Sequence, residues 1–341
     1  MARMVTIAFD VMGSDLGAAE LVKGAAQLSL EAPHIHPLLV GDAAQIDAAL
    51  AQTRHSGERI SVHHAPDVIG MEEKPAEAMA RKPESSIAVA ARLVANGEAD
   101  ALVSAGNTGA GIIACAKAFK LLPGVRRAAL AAVYPTRQRH GQKQDPFSLI
   151  LDVGATVDAS AEDLVAFAVM GAAYAQIISK NPSPSVALLS NGAEANKGPP
   201  RVVQAHARLR ETPGIRFVGN VEGVDIPKGT ADVIVCDGFV GNVCLKMLEG
   251  LAETVVELAQ YAYKESIRWR AGLAMLSSGI EKLKTVTDWE QYGGAPVLGF
   301  DRVFIKAHGR SNARAIANAG KVAAKAVSSD LCNAILQGLP K

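Results

Sequence analysis

The chain reads as an α/β protein with a mostly parallel sheet flanked by helices. Two observations predict this. Short apolar runs end abruptly in Gly–Asx turns, and alanine-rich segments of helical length separate them. The stretch Gly229–Gly250, GTADVIVCDGFVGNVCLKMLEG, shows the unit most clearly. A β-branched run, Val233–Cys236, is short enough for a buried parallel strand. It stops at Asp237-Gly238, and Asn242 is placed to cap a helix from Val243 onward. In open α/β sheets ligands sit at such crossings, outside the carboxyl ends of the strands. Free amides at the new helix start favour an anion.

The same pattern recurs along the chain. Ile7–Phe9 ends in Asp10-Val11-Met12-Gly13, Leu38–Val40 in Gly41-Asp42, and Ala101–Val103 in Ser104-Ala105-Gly106-Asn107. Leu149–Leu151 ends in Asp152, Val186–Leu189 in Ser190-Asn191-Gly192, and Phe217-Val218 in Gly219-Asn220. Val303–Ile305 leads through Lys306 into His308-Gly309. Helices are predicted over Ala18–Leu30, Ser85–Asn96, Ala161–Ser179 and Ala313–Val327. Any one Gly–Asx end is an ordinary turn. The whole set, gathered on one edge of a sheet, is expected to hold a polar ligand of phosphate size. The chain is expected to be a single catalytic domain, 1–341, of two lobes. The Pro-rich Asn181–Pro184 is the expected lobe boundary, and Arg137–Pro146 is expected to be an exposed loop.

The totals narrow the function. With 341 residues, 49% hydrophobic and 20% charged, the chain can bury a sizeable core. A formal net charge of +1 and only 4% aromatic residues argue against nucleic acid as a partner. Cys115, Cys236, Cys244 and Cys332 form no CxxC pair, so reduced thiols in a cytoplasmic protein are expected. The N-terminus reads as a first strand and not a signal peptide. No apolar run approaches the ~20 residues of a spanning helix, so membrane contact is expected to be peripheral.

Several segments carry candidate chemistry. Ser104–Gly111, SAGNTGAG, follows a strand and opens a helix. Gly106, Asn107 and Thr108 there suit a phosphate cradle. The loose G-x-G-x-x-A within it lacks the ribose-binding acid about 20 residues on, which excludes a nicotinamide site. A P-loop, an H-E-x-x-H motif, a Cys/His cluster and a G-x-S-x-G elbow are absent, so no cofactor and no metal are expected. Arg81–Ser86, RKPESS, sets Lys82 and Ser85 at a helix start, as plain helix initiation or as an anion clamp. His140 and Asp145 share the H-x-x-x-x-D spacing of glycerolipid acyltransferases, a spacing that arises easily by chance in a polar loop. Aspartates such as Asp10 and Asp237 are expected to bond local amides.

Residues 245–290 are expected to form a helical hairpin. Leu248, Leu251, Val255 and Leu258 recur at helical spacing, as do Leu273, Leu276, Ile280 and Leu283. The expected junction is Arg268–Ala274. Trp269, Leu273, Met275 and Leu276 there mix with Arg268 and Arg270, a composition suited to a bilayer interface. The stems suit burial against a partner subunit.

These motifs together resemble the bacterial phosphate acyltransferase family, the acyl-ACP:phosphate transacylases. The resemblance is carried by IAFDVMGSD (Ile7–Asp15), RKPESS, LVSAGNTGA (Leu102–Ala110), ILDVGA (Ile150–Ala155), FVGNVEGVDIP (Phe217–Pro227), CDGFVGNVCLK (Cys236–Lys246), YGGAPVLGF (Tyr292–Phe300) and IKAHG (Ile305–Gly309). It spans nearly the whole chain. It implies a Rossmann-like fold similar to phosphotransacetylases and isocitrate dehydrogenase-type enzymes. It further implies reversible transfer of a fatty acyl group from acyl carrier protein (ACP) to inorganic phosphate. The acyl-phosphate would feed a membrane glycerol-3-phosphate acyltransferase in phospholipid synthesis. A homodimer, peripherally associated with the inner face of the cell membrane, is implied as well.

Phosphate is already anionic, so positioning matters more than a strong base. On this reading Gly106, Asn107 and Thr108 cradle phosphate with Gly13 and Ser85 near. Lys82, Lys246 or Lys306 supplies charge. Asn242, or an amide near Gly241, stabilises the oxyanion, and His308 protonates the leaving thiolate. Asp10, Asp237 and Gly238 hold the loops. A phosphotransacetylase-like enzyme using acyl-CoA and a non-catalytic lipid-binding protein are the alternatives.

Overall fold

The computed structural model describes residues 3–141, 144–276 and 293–339. Eleven strands form one sheet: β1 (Val5–Asp10), β2 (Ile35–Gly41), β3 (Ser61–His64), β4 (Ala101–Ser104), β5 (Ala129–His140), β6 (Asp145–Leu151), β7 (Ser185–Leu189), β8 (Arg216–Val221), β9 (Val233–Val235), β10 (Ala295–Leu298) and β11 (Val303–Lys306). Their order is β3-β2-β1-β4-β11-β10-β5-β6-β9-β7-β8. Alternating side chains feed two cores, one on each face of the sheet. Val5, Ile7 and Phe9 of β1 enter one core and Ala8 the other. Val233 and Val235 of β9 are likewise split from Ile234.

On the first face lie α1 (Ala18–Glu31), α2 (Ala43–Ala51), α6 (Ala161–Ile177), α7 (Pro200–Glu211), α10 (Ala313–Ser328) and α11 (Leu331–Gly338). On the second lie α3 (Pro75–Arg81), α4 (Ser86–Ala95), α5 (Thr108–Ala118) and the inner side of α8 (Gly238–Glu265). The four helices expected from alanine content match α1, α4, α6 and α10 within two residues. Side-chain caps fix the starts of α6 and α10: Ser160 and Asp163 form a capping box, and Asn312 accepts from the Ala315 amide. The four cysteines are free thiols, with Cys115 and Cys236 buried.

The expectation that all crossings share one edge is overturned. Strands β3, β2, β1, β4 and β11 run parallel. Strands β6, β9, β7 and β8 are also mutually parallel. Between the two blocks β10 is antiparallel to both β11 and β5, and β5 is antiparallel to β6. Three reversals in a row leave the second block pointing against the first. The carboxyl ends of the two blocks therefore lie at opposite edges of the sheet.

Two further expectations change. Arg137–Pro146 is largely strand: β5 and β6 form a hairpin, and the amides of Arg137 and Gln138 donate to the carbonyls of Pro227 and Lys228. Asn181–Pro184 joins α6 to β7 inside the second block. The chain changes block at the β5–β6 hairpin and again between α8 and β10.

Candidate functional site

At the carboxyl edge of the first block β1, β4 and β11 end side by side. Asp10 and Lys306 are both buried there. The Ser104 hydroxyl donates to Asp10 Oδ2 (2.7 Å) and the Met12 amide to Oδ1 (3.3 Å). Burial raises the Asp10 pKa above the usual carboxylate value, against hydrogen bonds from Ser86 and Ser104 and the nearby Lys306. Burial likewise lowers Lys306 to about 8, against the pull of Asp10 and Asp15. Its ammonium bonds the Ala307 carbonyl. A cation so poorly solvated gains strongly from an incoming anion.

The loops after these strands interlock over the pair. Gly13 holds φ at 74°, and a Cβ there would stand 2.7 Å from the Ile69 carbonyl and 3.8 Å from Gly106 Cα. The Asp15 amide donates to the Gly309 carbonyl (3.0 Å). Ser85 and Ser311 are buried and their hydroxyls meet no partner among the described residues. His308 sits over this edge, with Nδ1 accepting from the Arg310 amide (3.2 Å). Burial first, and then Lys246 and Lys306, lower its pKa, so the ring is more readily neutral. In the first half of α8, Lys246 is exposed and paired with Glu249 (2.8 Å), and Glu253 stands 3.9 Å from Arg310. Thus α8 overhangs the site.

One expected cradle member, Asn107, has other work. Asn107 caps α5 through the Ala110 amide, and its Nδ2 donates to the carbonyls of Gly70, Met71 and Glu73. It staples a loop instead of offering a donor. Thr108 begins α5, where the first amides lack intrahelical acceptors. Lys82 is neutralised by Glu73 (2.5 Å) and bonds the Val68 carbonyl (2.7 Å), so its charge serves that loop.

Asp237, Gly238, Gly241 and Asn242 lie at the other edge. Asp152, fully buried, accepts amides from Leu130, Gly154, Ala155 and Thr156. Gly238 and Gly241 press on it: a Cβ on Gly241 would lie 1.9 Å from the Asp152 carbonyl oxygen. The Gly241 amide is bound to the Asp237 carbonyl (3.0 Å), which corrects its expected oxyanion role. Asp237 caps α8 through Val240 and accepts from Arg201 (2.9 Å). Asn242 is exposed beside Gly154. The expected helix start therefore moves from Asn242 to Asp237.

Some residues escaped the sequence reading. Arg310 and Ser311 continue the IKAHG motif to the cap of α10 and were within reach of it. Arg201 and Asp152 had no motif; only folding brings them together with Asp237 and Gly238. His140 meets Asp232 (3.1 Å), which approaches from the start of β9. The H-x-x-x-x-D spacing did not point to that carboxylate.

On α8, Val240, Cys244, Leu245 and Leu248 pack on the core. Phe239, Val243, Met247, Leu251, Val255 and Leu258 form an exposed stripe on another side. The helix ends at Ser266, earlier than the expected junction, and α9 follows, described over 267–276. Trp269, Met275 and Leu276 are exposed and Leu273 is half-buried. The rest of the expected hairpin, with Ile280 and Leu283, lies outside the described residues. Among the described residues no helix is long and apolar enough to cross a membrane.

Comparison with known proteins places this architecture. The chain is similar in fold to a phosphotransacetylase from Streptococcus pyogenes (TM-score 0.64, 17% identity, 95% of this chain and 94% of that one). It is also similar to the EutD phosphotransacetylase from Staphylococcus aureus (TM-score 0.62, 15% identity, 95% and 94%). It is 41% identical over 336 residues to a phosphate acyltransferase from Dictyoglomus turgidum, covering 98% of each. It is 43% identical over 329 residues to one from Moorella thermoacetica, covering 96% of this chain and 94% of that one. The family described as "Fatty acid synthesis protein" matches residues 5–334. At such identity over nearly the full length, the chain belongs to the phosphate acyltransferases, a family of acyltransferase enzymes.

Proposed function

We propose that the protein transfers a fatty acyl group from acyl-ACP to inorganic phosphate, reversibly, and so supplies acyl-phosphate for phospholipid synthesis. The observation that carries this is the buried Asp10–Lys306 group beneath glycine-rich loops. A buried ammonium at the carboxyl ends of three parallel strands suits a small oxyanion. A phosphate oxygen held there attacks the thioester carbonyl carbon, forming a new C–O bond and a tetrahedral oxyanion. The C–S bond then breaks, and the leaving thiolate takes a proton from solvent, since His308 is more readily neutral here. Lys306, with Lys246 nearby, offsets the charge of phosphate as it meets the electron-rich carbonyl. Asn242 stands at the opposite sheet edge from this phosphate, beside Gly154, and takes no part in the step.

The α8 stripe, on this proposal, packs against the same stripe of a second copy. The α9 end, with Trp269, Met275 and Leu276 beside Arg268 and Arg270, rests on the inner face of the cell membrane. There the product passes to a membrane glycerol-3-phosphate acyltransferase. The chain is one catalytic domain of two lobes, which the two strand blocks support. The fold shared with phosphotransacetylases favours acyl-CoA as the alternative donor.

The test is incubation with palmitoyl-ACP or palmitoyl-CoA and phosphate, with acyl-phosphate trapped by hydroxylamine. Hydroxamate that depends on phosphate and appears with palmitoyl-ACP supports the proposal. Hydroxamate from palmitoyl-CoA alone selects the alternative, and none from either donor removes the activity.

A further inference from the structure

The segment from Lys117 to Arg127 carries four cations in eleven residues: Lys117, Lys120, Arg126 and Arg127. All four are exposed, and among the described residues none lies within ion-pair distance of a carboxylate. They surround Leu121, which is 40% exposed. The backbone beneath them is firm. Leu121 bridges Phe300, the Leu122 amide donates to the Gly299 carbonyl (2.9 Å), the Asp301 amide donates to the Lys120 carbonyl (2.9 Å), and the Lys120 amide donates to the Asp301 carboxylate (3.1 Å). Asp301 adds an acid at the rim, offset by Arg302 (3.4 Å). With the whole chain at +1, so dense a group of unpaired cations is a local asymmetry that suits an acidic partner.

Its position separates protein from lipid. Helix α5 starts at the edge holding Asp10 and Lys306, so its last turn, with Lys117, lies at the opposite edge. Strand β10 ends and β5 begins at that opposite edge too. Helix α8 starts there and runs the other way, past His308 and Arg310, toward α9. The cationic segment and the apolar α9 end therefore face away from each other along α8, and one flat bilayer does not meet both. The segment also adjoins the start of α8: the Ala128 carbonyl accepts from Thr156 Oγ1 (2.9 Å), and the Thr156 carbonyl accepts from the Gly238 amide (2.8 Å).

We propose that Lys117, Lys120, Arg126 and Arg127, around Leu121, dock an acidic face of the carrier protein that brings the acyl thioester. The choice of partner rests on the proposed reaction. The carrier held there stands at the beginning of α8, the helix that leads to the Lys306 site.

The test uses the full chain with two quadruple variants, one with all four residues changed to Gln and one with all four changed to Glu. Circular dichroism and thermal melting confirm folding. Fluorescence anisotropy of labelled palmitoyl-ACP reads binding directly, and hydroxylamine trapping reads turnover. Binding at least tenfold weaker in the Gln variant and weaker still in the Glu variant is expected. The KM for palmitoyl-ACP should rise in parallel, the salt dependence should flatten, and kcat and the KM for phosphate should hold. Unchanged carrier binding in both variants overturns the proposal. So does selective loss of binding to phosphatidylglycerol vesicles, which would assign the segment to lipid. If the wild type makes no acyl-phosphate yet loses carrier binding in the variants, the docking surface stands and the reaction falls.

Discussion

The Ser104 hydroxyl donates to the Asp10 carboxylate over 2.7 Å, joining the ends of two adjacent parallel strands beneath the loops of the site. A Cβ on Gly106 would stand 3.3 Å from that carboxylate and 3.4 Å from that hydroxyl, so the cradle loop rests on this bond. Ser104→Ala is expected to cost about 1–2 kcal/mol, because a buried acceptor loses its partner. Urea denaturation checks the cost. Phosphate titration checks the function, and the KM for phosphate is expected to rise while binding of palmitoyl-ACP holds.

Lys306 has a folded pKa of about 8 against an ordinary 10.5. Between those values the unfolded chain binds more protons than the folded one. This lysine's contribution therefore raises stability as pH climbs from about 8 to 10.5 and is flat below. Lys306→Met is expected to remove that rise in denaturant melts. Acyl-phosphate formation should fall as pH passes about 8, where the site loses its charge. Lys306→Arg, which stays charged, should move that limb upward.

Burial pushes Asp232 up, but hydrogen bonds from His140 and Ser185 outweigh it and bring the pKa to about 2 from 3.8. The group is depressed, so its stabilisation is full above 3.8 and is lost as pH falls through about 2. The difference corresponds to about 2 kcal/mol. Asp232→Asn should destabilise the protein at neutral pH and flatten the acid limb of its stability curve.

Two glycines of α8 are expected to behave oppositely. A Cβ on Gly241 meets the Asp152 carbonyl oxygen at 1.9 Å, and main chain cannot yield cheaply. Gly241→Ala should cost more than about 3 kcal/mol or prevent folding. Gly250 has nothing within 4 Å of its built Cβ, so Gly250→Ala should stabilise by up to about 1 kcal/mol through helix propensity. Thermal melting of the pair separates the two cases.

The outer sides of α8 and α9 should separate by function. Met247→Glu with Leu251→Lys should yield monomers in analytical ultracentrifugation, since Met247 is 68% exposed and Leu251 61% exposed in the single chain. Trp269→Ala with Met275→Ser should lose vesicle binding in flotation and keep acyl-phosphate formation. Loss of catalysis in the second variant would contradict the assignment of that end to lipid.

Much of this was legible in the sequence. Ala-rich segments of helical length gave α1, α4, α6 and α10, because period decides helices, and side-chain caps at Ser160 and Asn312 mark the starts of the last two. Strand β10 escaped because Pro296 argues against a central strand. Strand β5 escaped altogether: its far end, Arg137–His140, is polar, and what holds it is pairing with distant backbone. Strand direction was illegible, since a β-branched run looks alike pointing either way. That is why Asp10 and Asp237 read as one site and stand at two edges. Motifs also showed which residues matter before showing what each does: Asn107 and Lys82 match the family text and serve as a staple and a counter-ion.

The ladder between β10 and β5 is paired through Val297–Leu130 and Leu298–Ala129, the shortest junction in a sheet otherwise laced by longer pairings. It is also where the polarity of the parallel blocks turns over. Rocking one half of the molecule against the other disturbs the least backbone along this seam. Phe300, Leu130 and Ala128, whose side chains share one core beside it, are where such motion would first register in hydrogen exchange.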